Sequence, residues 1–366
     1  MLLIISNIPT PYRIPLFNTI HERLSAQGKQ VQFVFAAESH AFRKWKIDIA
    51  DFKFNYQYLS KNNTNTNEKT KFYYQGLFLI LRQLKPSVVV VPGFSVATAI
   101  AVIGKLFFNY KLVVWSGTTN NPNRKISWVK LMYRKLTTPF VNEYIVYGTA
   151  AQTYIEQLDN KAATKTITKS YNTVAVNKFN NPSLNTNYNP CQLLYVGNFT
   201  KGKQVHRLIE IALQLQTLGT NFNLTLIGSG ETFTEIQTSI TQHNLHNCVT
   251  LIPHLQKDEL IQYYHASQVF LFPSQYDVWG LVVNEAMAAG LCVFASTKAG
   301  ATQDLIAHNT TGFAVNYDAV NDVALLLHNI ILQPQLLTSI RVNAQHYILH
   351  NITIPKAAEA FVELMN

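Results

Sequence analysis

Val88-Val89-Val90-Val91 is an unbroken β-branched run, and a strand of that kind has no face suited to water. It belongs inside a sheet covered on both sides, which means parallel strands joined through helices. The rest of the first half reads the same way. Apolar runs predict strands at 1–6, 31–36, 87–91, 111–115 and 143–147. Helical periods predict helices over 14–26, 71–84, 95–108, 125–137 and 149–158, with a polar Asn/Thr loop at 62–67. Residues 177–190 hold six Asn and two Pro with neither period, and read as a linker.

Alternation then restarts. Strands are expected at 192–196, 223–227, 248–252, 269–272 and 291–295. Helices are expected at 205–217, 232–243, 257–266, 281–289, 302–307, 320–331 and 335–346. Thr353 as an N-cap and Pro355 in a first turn open a last helix. The expected class is α/β, with two Rossmann-like doubly wound domains at 1–176 and 191–350. The linker is 177–190, and a C-terminal helix within 351–366 could return to the first domain. Ligands of such sheets lie beyond the carboxyl ends of the strands, so a cleft between the two domains is the expected site.

Composition bounds the partners. A 48% apolar content with 21 Phe, 18 Tyr and 4 Trp excludes disorder. Cys191, Cys248 and Cys292 are too widely spaced for a disulfide scaffold or a short zinc motif. Residues 1–190 carry 23 Lys+Arg against 8 Asp+Glu, and residues 191–366 carry 7 against 12. The basic half should face an anion: phospholipid, a lipid-linked phosphate or nucleic acid. No nucleic-acid reading motif accompanies the charge, so no nucleic-acid partner is expected. Met1 leads straight into an apolar strand, and the longest apolar stretch, Gly93 to Gly104, is too short for a span of roughly 30 Å. The expected location is cytoplasmic.

Three stretches could carry chemistry. In the first, a strand ends at Pro273-Ser274, and Asp277 and Glu285 flank a turn and a helix start. Gly280 lets backbone approach a ligand, and the amides of Leu281, Val282 and Val283 would open the helix towards a phosphate. Glu285, one turn further in, could accept from ribose hydroxyls. Either acid alone is most simply a cap or a solvated side chain, and the constellation is what argues for a site. In the second, a loop with Gly197, Asn198, Lys201, Gly202 and Lys203 follows a strand and offers a point charge to a diphosphate. In the third, Gly228-Ser229-Gly230 is a strand-to-helix turn, weak by itself.

Together these stretches resemble the C-terminal half of the retaining, nucleotide-sugar-dependent glycosyltransferases of family 4, which have the GT-B fold. Gly280 to Val293 matches the segment around its carboxylate–seven–carboxylate motif, and Gly197 to Gln204 matches its diphosphate loop. Pro9 to Asn18 is similar to the opening of a bacterial subgroup that builds polysaccharides or lipid-linked glycans. The resemblance implies that Lys203 and the Leu281 and Val282 amides hold the donor phosphates. It implies that Glu285 holds the ribose, Asp277 contacts the transferred sugar, and Pro253-His254 meet the base. Arg13, Trp115 and Ser116 fall on the acceptor or donor-sugar side. The sequence departs from the family pattern with Asn198 for arginine, Asp277 for glutamate, Cys292 for proline and Ser116 for histidine.

The resulting expectation is a retaining transferase that moves a sugar from UDP or GDP to a lipid-linked or polysaccharide acceptor. With no Asp-X-Asp in the chain, no metal and no cofactor beyond the donor are expected. The departures motivate an alternative, a sugar-nucleotide-binding subunit without activity. Arg124, Lys125, Trp128, Lys130, Arg134 and Lys135 lie on a predicted helix with apolar Ile126, Val129, Met132, Tyr133 and Leu136, which suits an anionic membrane surface. Arg43-Lys44-Trp45-Lys46 is a second basic cluster. Peripheral attachment at the inner membrane face is the matching expectation.

Overall fold

A computed structural model describes residues 1–38, 47–59, 72, 74–120 and 126–366. The 62–67 tract, the Arg43–Lys46 cluster, Arg124 and Lys125 lie outside the described residues. The chain divides into two compact units, Met1–Val174 with Ile354–Asn366, and Ala175–Thr353.

The first unit runs β1 (Leu2–Ser6), α1 (Ile14–Ala26), β2 (Val31–Phe35), β3 (Tyr56–Tyr58), α2 (Leu77–Leu84), β4 (Val88–Pro92), α3 (Val96–Gly104), β5 (Lys111–Ser116), α4 (Trp128–Thr137), β6 (Glu143–Val146), α5 (Thr149–Leu158) and β7 (Thr166–Lys169). All strand pairs are parallel, in the order β3-β2-β1-β4-β5-β6-β7. The valine run is β4, buried near the middle as its composition demands. Leu2, Ile4, Phe17, Val90 and Trp115 build a core on one face of the sheet, and Leu3, Val89, Ala101, Val114 and Ile155 build one on the other.

The second unit runs β8 (Cys191–Val196), α6 (His206–Thr217), β9 (Phe222–Ile227), α7 (Phe233–Gln242), β10 (Val249–Ile252), α8 (Lys257–Ala266), β11 (Val269–Phe272), α9 (Leu281–Ala288), β12 (Cys292–Ser296), α10 (Thr302–Leu305), β13 (Gly312–Val315), α11 (Val320–Ile331) and α12 (Pro334–Asn351). Its sheet is also parallel, ordered β10-β9-β8-β11-β12-β13. Residues 177–190, expected as a linker, fall inside this unit. The buried Arg341 of α12 donates to the Asn185 carbonyl at 2.5 Å and the Tyr188 hydroxyl at 3.0 Å. Gln345 donates to the Asn181 carbonyl at 2.8 Å.

The last helix, α13 (Ile354–Val362), groups with the first unit and packs on α1. The Ser170 hydroxyl donates to the Ala357 carbonyl at 2.8 Å, and Phe361 meets Trp115 edge-on at 5.0 Å between ring centroids. In each sheet the strand order reverses once, between β1 and β4 and between β8 and β11. At such a reversal the flanking loops part beyond the carboxyl ends of the strands and leave room for a ligand.

Candidate active site

In the second unit the reversal point lies between the loops after β8 and β11. The first loop packs backbone against backbone on the turn after β9. A Cβ on Gly228 would stand 1.8 Å from the Gly197 carbonyl oxygen, and one on Gly230 would stand 2.3 Å from that of Phe199. Only glycine permits this approach. The Phe199 amide donates to the Ser229 carbonyl at 2.9 Å, and Tyr195 donates to the Asn198 carbonyl at 3.0 Å, while Asn198 itself is exposed. Lys201–Lys203 form a single 3₁₀ turn that closes on Gln204 at φ +50°.

From that turn Lys203 reaches the second loop. Its ammonium pairs with the Asp277 carboxylate and lies 5.3 Å from the centre of the Phe272 ring. The Gln275 amide also donates to the Gly202 carbonyl at 2.9 Å. Asp277 is held in turn. Its carbonyl accepts from Gly300 at 3.0 Å, and its carboxylate accepts from the Trp279 amide at 3.2 Å. The Trp279 indole N–H donates to Asn284 at 2.9 Å.

Gly280 caps α9 at φ +103°, and a Cβ there would press on the Phe272 ring at 2.8 Å. Of the three amides expected to be free, that of Val283 is not: it donates to the Gly280 carbonyl at 2.9 Å. A first helical turn leaves Leu281 and Val282 with no partner inside the helix, at its positive end.

Glu285 sits one turn deeper and is largely buried. It accepts from the Tyr264 hydroxyl at 3.0 Å and lies 3.6 Å from the Lys257 ammonium. Burial pushes its carboxyl above the usual carboxylate range, and Lys257 and Tyr264 pull it partly back. Burial, with Glu285 beside it, drives the Tyr264 phenol well above its ordinary value. Lys257 and Tyr264 had no signal in the sequence, since each is an ordinary residue of an amphipathic helix. Pro253 and His254 follow β10 and are exposed. No hydrogen bond or ion pair among the described residues ties them to this cluster.

The first unit brings Arg13 and Trp115 together. The guanidinium of Arg13 lies 4.3 Å from the Trp115 ring centre and donates to the Tyr147 hydroxyl. Ser116 is buried, and its hydroxyl accepts from the Thr118 amide at 3.1 Å. Four of the residues expected as a membrane surface, Trp128, Lys130, Arg134 and Lys135, lie on α4. Lys130 and Lys135 are exposed and Trp128 is 76% exposed, but Arg134 turns inward to the Tyr154 hydroxyl and lies 5.7 Å from the Phe94 ring centre. Val129, Met132 and Leu136 are exposed, and only Thr137 of this helix is buried.

Residues 176–347 match the model of the family Glycosyl transferases group 1, a segment that falls wholly within the second unit. Over 157 residues the chain is 33% identical to the amylovoran biosynthesis glycosyltransferase AmsK of Erwinia amylovora, covering 41% of this chain and 38% of that one. Over 141 residues it is 32% identical to the capsular polysaccharide biosynthesis glycosyltransferase CapM of Staphylococcus aureus, covering 37% and 36%. The match thus spans under two fifths of each of these two relatives. Among solved structures, Anabaena Alr3699/HepE in complex with UDP superposes with a TM-score of 0.79 at 18% identity, over 100% of this chain and 99% of that one. The lipopolysaccharide outer core galactosyltransferase WaaB gives 0.73 at 16% identity, over 100% and 98%. At these identities the likeness is one of fold, and the fold is GT-B: two Rossmann-like α/β units.

Proposed function

We propose that the chain is a retaining glycosyltransferase that moves a sugar from a UDP- or GDP-sugar to a lipid-linked or polysaccharide acceptor without a metal ion. The supporting observation is the Lys203–Asp277 pair at the reversal between β8 and β11, just ahead of the first turn of α9, with Glu285 one turn inside that helix. The relatives named for amylovoran and capsular polysaccharide biosynthesis favour such an acceptor, and the neighbour solved with UDP favours a nucleoside diphosphate.

On this reading the donor pyrophosphate takes Lys203 from Asp277 and lies against the Leu281 and Val282 amides. Cation and helix dipole together then offset the charge that gathers on the leaving diphosphate. Glu285, oriented by Tyr264 and Lys257, accepts from the ribose hydroxyls. Asp277, released from Lys203, contacts a hydroxyl of the transferred sugar. No side chain is assigned as a covalent nucleophile, which fits front-side departure through an oxocarbenium-like state. Donor hydrolysis and transfer assays on Lys203→Ala and Glu285→Ala test the assignment, and unchanged turnover in both removes it. A second reading, a binding subunit without activity, draws on Asn198 and Ser116. Calorimetry that records UDP binding with no turnover on any acceptor would favour it.

Peripheral attachment to the inner membrane face belongs to the same proposal. Trp128, Val129, Met132 and Leu136 on α4, with Ile103 of α3 and the following Leu106 and Phe107, are all at least 47% exposed. Lys130 and Lys135 stand among them. The first unit carries 23 Lys+Arg against 10 Asp+Glu, a balance suited to anionic lipid.

A further inference from the structure

Arg13 closes the loop after β1 and caps α1. Aromatic rings surround its guanidinium: Trp115 at 4.3 Å, Tyr12 at 5.6 Å and Tyr147 at 5.7 Å, measured to the ring centres. The rings are themselves braced. Trp115 is only 4% exposed and meets Phe17 and Phe361 edge-on. Tyr147 lies flush against Gly117, where a Cβ would stand 2.2 Å from the ring. This is a rigid mount for a planar cation.

The mount holds a positive charge and does not neutralise it. Among the described residues no carboxylate lies within ion-pair distance of Arg13. Its Nε is buried without a hydrogen-bond partner, and so are the indole N–H of Trp115 and the hydroxyl of Thr10. A desolvated cation with unmade donors is costly unless something fills them. The Nε edge of a guanidinium is one side of the fork that takes two oxygens of a tetrahedral oxyanion. The positive end of α1, a 13-residue helix, begins at the same residue.

We propose that Arg13, mounted on Trp115 and Tyr147, is a phosphate receptor in the first unit that takes the phosphate of a lipid-linked acceptor. The choice of acceptor rests on the function proposed above, where the donor diphosphate has its own cation and amides in the second unit. The phosphate chemistry itself rests on the unfilled donors.

The test uses the full chain with inorganic phosphate and with UDP as separate calorimetric probes, and thermal melting alongside. Phosphate should bind the wild type and raise its Tm. Arg13→Gln should weaken phosphate binding by about tenfold or more while changing UDP affinity less than about twofold. Its Tm without phosphate should equal or exceed that of the wild type, because an uncompensated buried cation has gone. Tyr147→Phe keeps the charge, loses the hydroxyl that orients it, and should weaken phosphate binding less than Arg13→Gln. Equal phosphate binding in wild type and Arg13→Gln overturns the proposal, and so does a Tm loss in Arg13→Gln without phosphate. Loss of UDP affinity in that variant assigns the site to the donor and overturns the acceptor claim. Absence of UDP binding in the wild type, with the phosphate result intact, sinks the proposed function alone.

Discussion

Both units send their first strand, β1 or β8, into a loop that delivers a basic residue beside a sheet reversal, and the two residues meet different surroundings. Lys203 finds a carboxylate, and the pair stays 24% and 23% exposed at its side chains. Arg13 finds three aromatic rings and no acid. An ammonium paired in partial contact with water can change partners at small cost, since such pairs are worth about 0–1 kcal/mol. A guanidinium fixed between rings cannot move, and a ligand has to come to it. The comparison sets a cation free to exchange partners against one held in place by its rings.

Removing the exchangeable cation should have the largest effect. Lys203→Ala is expected to lower transfer by about 100- to 1,000-fold with little change in unfolding free energy. Initial rates and denaturant unfolding separate the two quantities. A variant that loses stability and keeps its rate would make the Lys203–Asp277 pair structural and erase the contrast.

Glycine substitutions probe how each loop is built. Gly228→Ala drives a methyl into the Gly197 carbonyl, which is backbone and cannot step aside, and should cost about 3 kcal/mol. Gly117→Ala meets the Tyr147 ring, a side chain that can turn, and should cost about 1–2 kcal/mol. Urea unfolding gives both numbers, and equal costs would show that the aromatic mount is no softer than the loop around Lys203.

A smaller effect belongs to the surface of the first unit. Trp128→Ser with Leu136→Ser should weaken binding to vesicles containing anionic lipid by about tenfold, and raised salt should weaken the wild type as well. Co-sedimentation measures both. Vesicle binding that ignores the two substitutions would leave the charge of the first unit without a lipid partner.

The smallest shift concerns Glu285. Burial raises its pKa in the folded protein, so the folded state holds this proton more tightly than the unfolded chain does. Below roughly pH 4 both states are protonated and the group is neutral in effect. As pH climbs through the raised value, ionisation increasingly destabilises the fold. Glu285→Gln should therefore melt slightly higher than wild type near neutral pH and match it in acid. A pH series of melting curves checks the sign.

What the sequence revealed follows from how local each signal is. The segment Pro273 to Glu285 is one strand–turn–helix, so its acids and glycine could be assigned together, and α1 and β11 appear at their expected limits. Three strands escaped notice, Tyr56–Tyr58, Thr166–Lys169 and Gly312–Val315, and all lie at sheet edges. The first two are partly solvated and lack the apolar run that betrays a central strand, while Gly312–Val315 is buried but only four residues long and opens on a glycine. The Val283 amide was misjudged because only backbone geometry shows that Gly280 claims it. Tyr147 stands 134 residues from Arg13, and Tyr264 stands 21 from Glu285. Those pairings are created by topology, and no local pattern encodes them.

The return of α13 to the first unit has a consequence for biosynthesis. Ile354–Val362 covers Trp115 and α1, yet it emerges from the ribosome after all the intervening second unit has been made. Until then the nascent first unit carries an open apolar face, a stretch of synthesis in which chaperones or premature self-association compete for it. Ile354–Asn366 acts as a latch, and completion of the first unit waits for a segment made after the whole of the second.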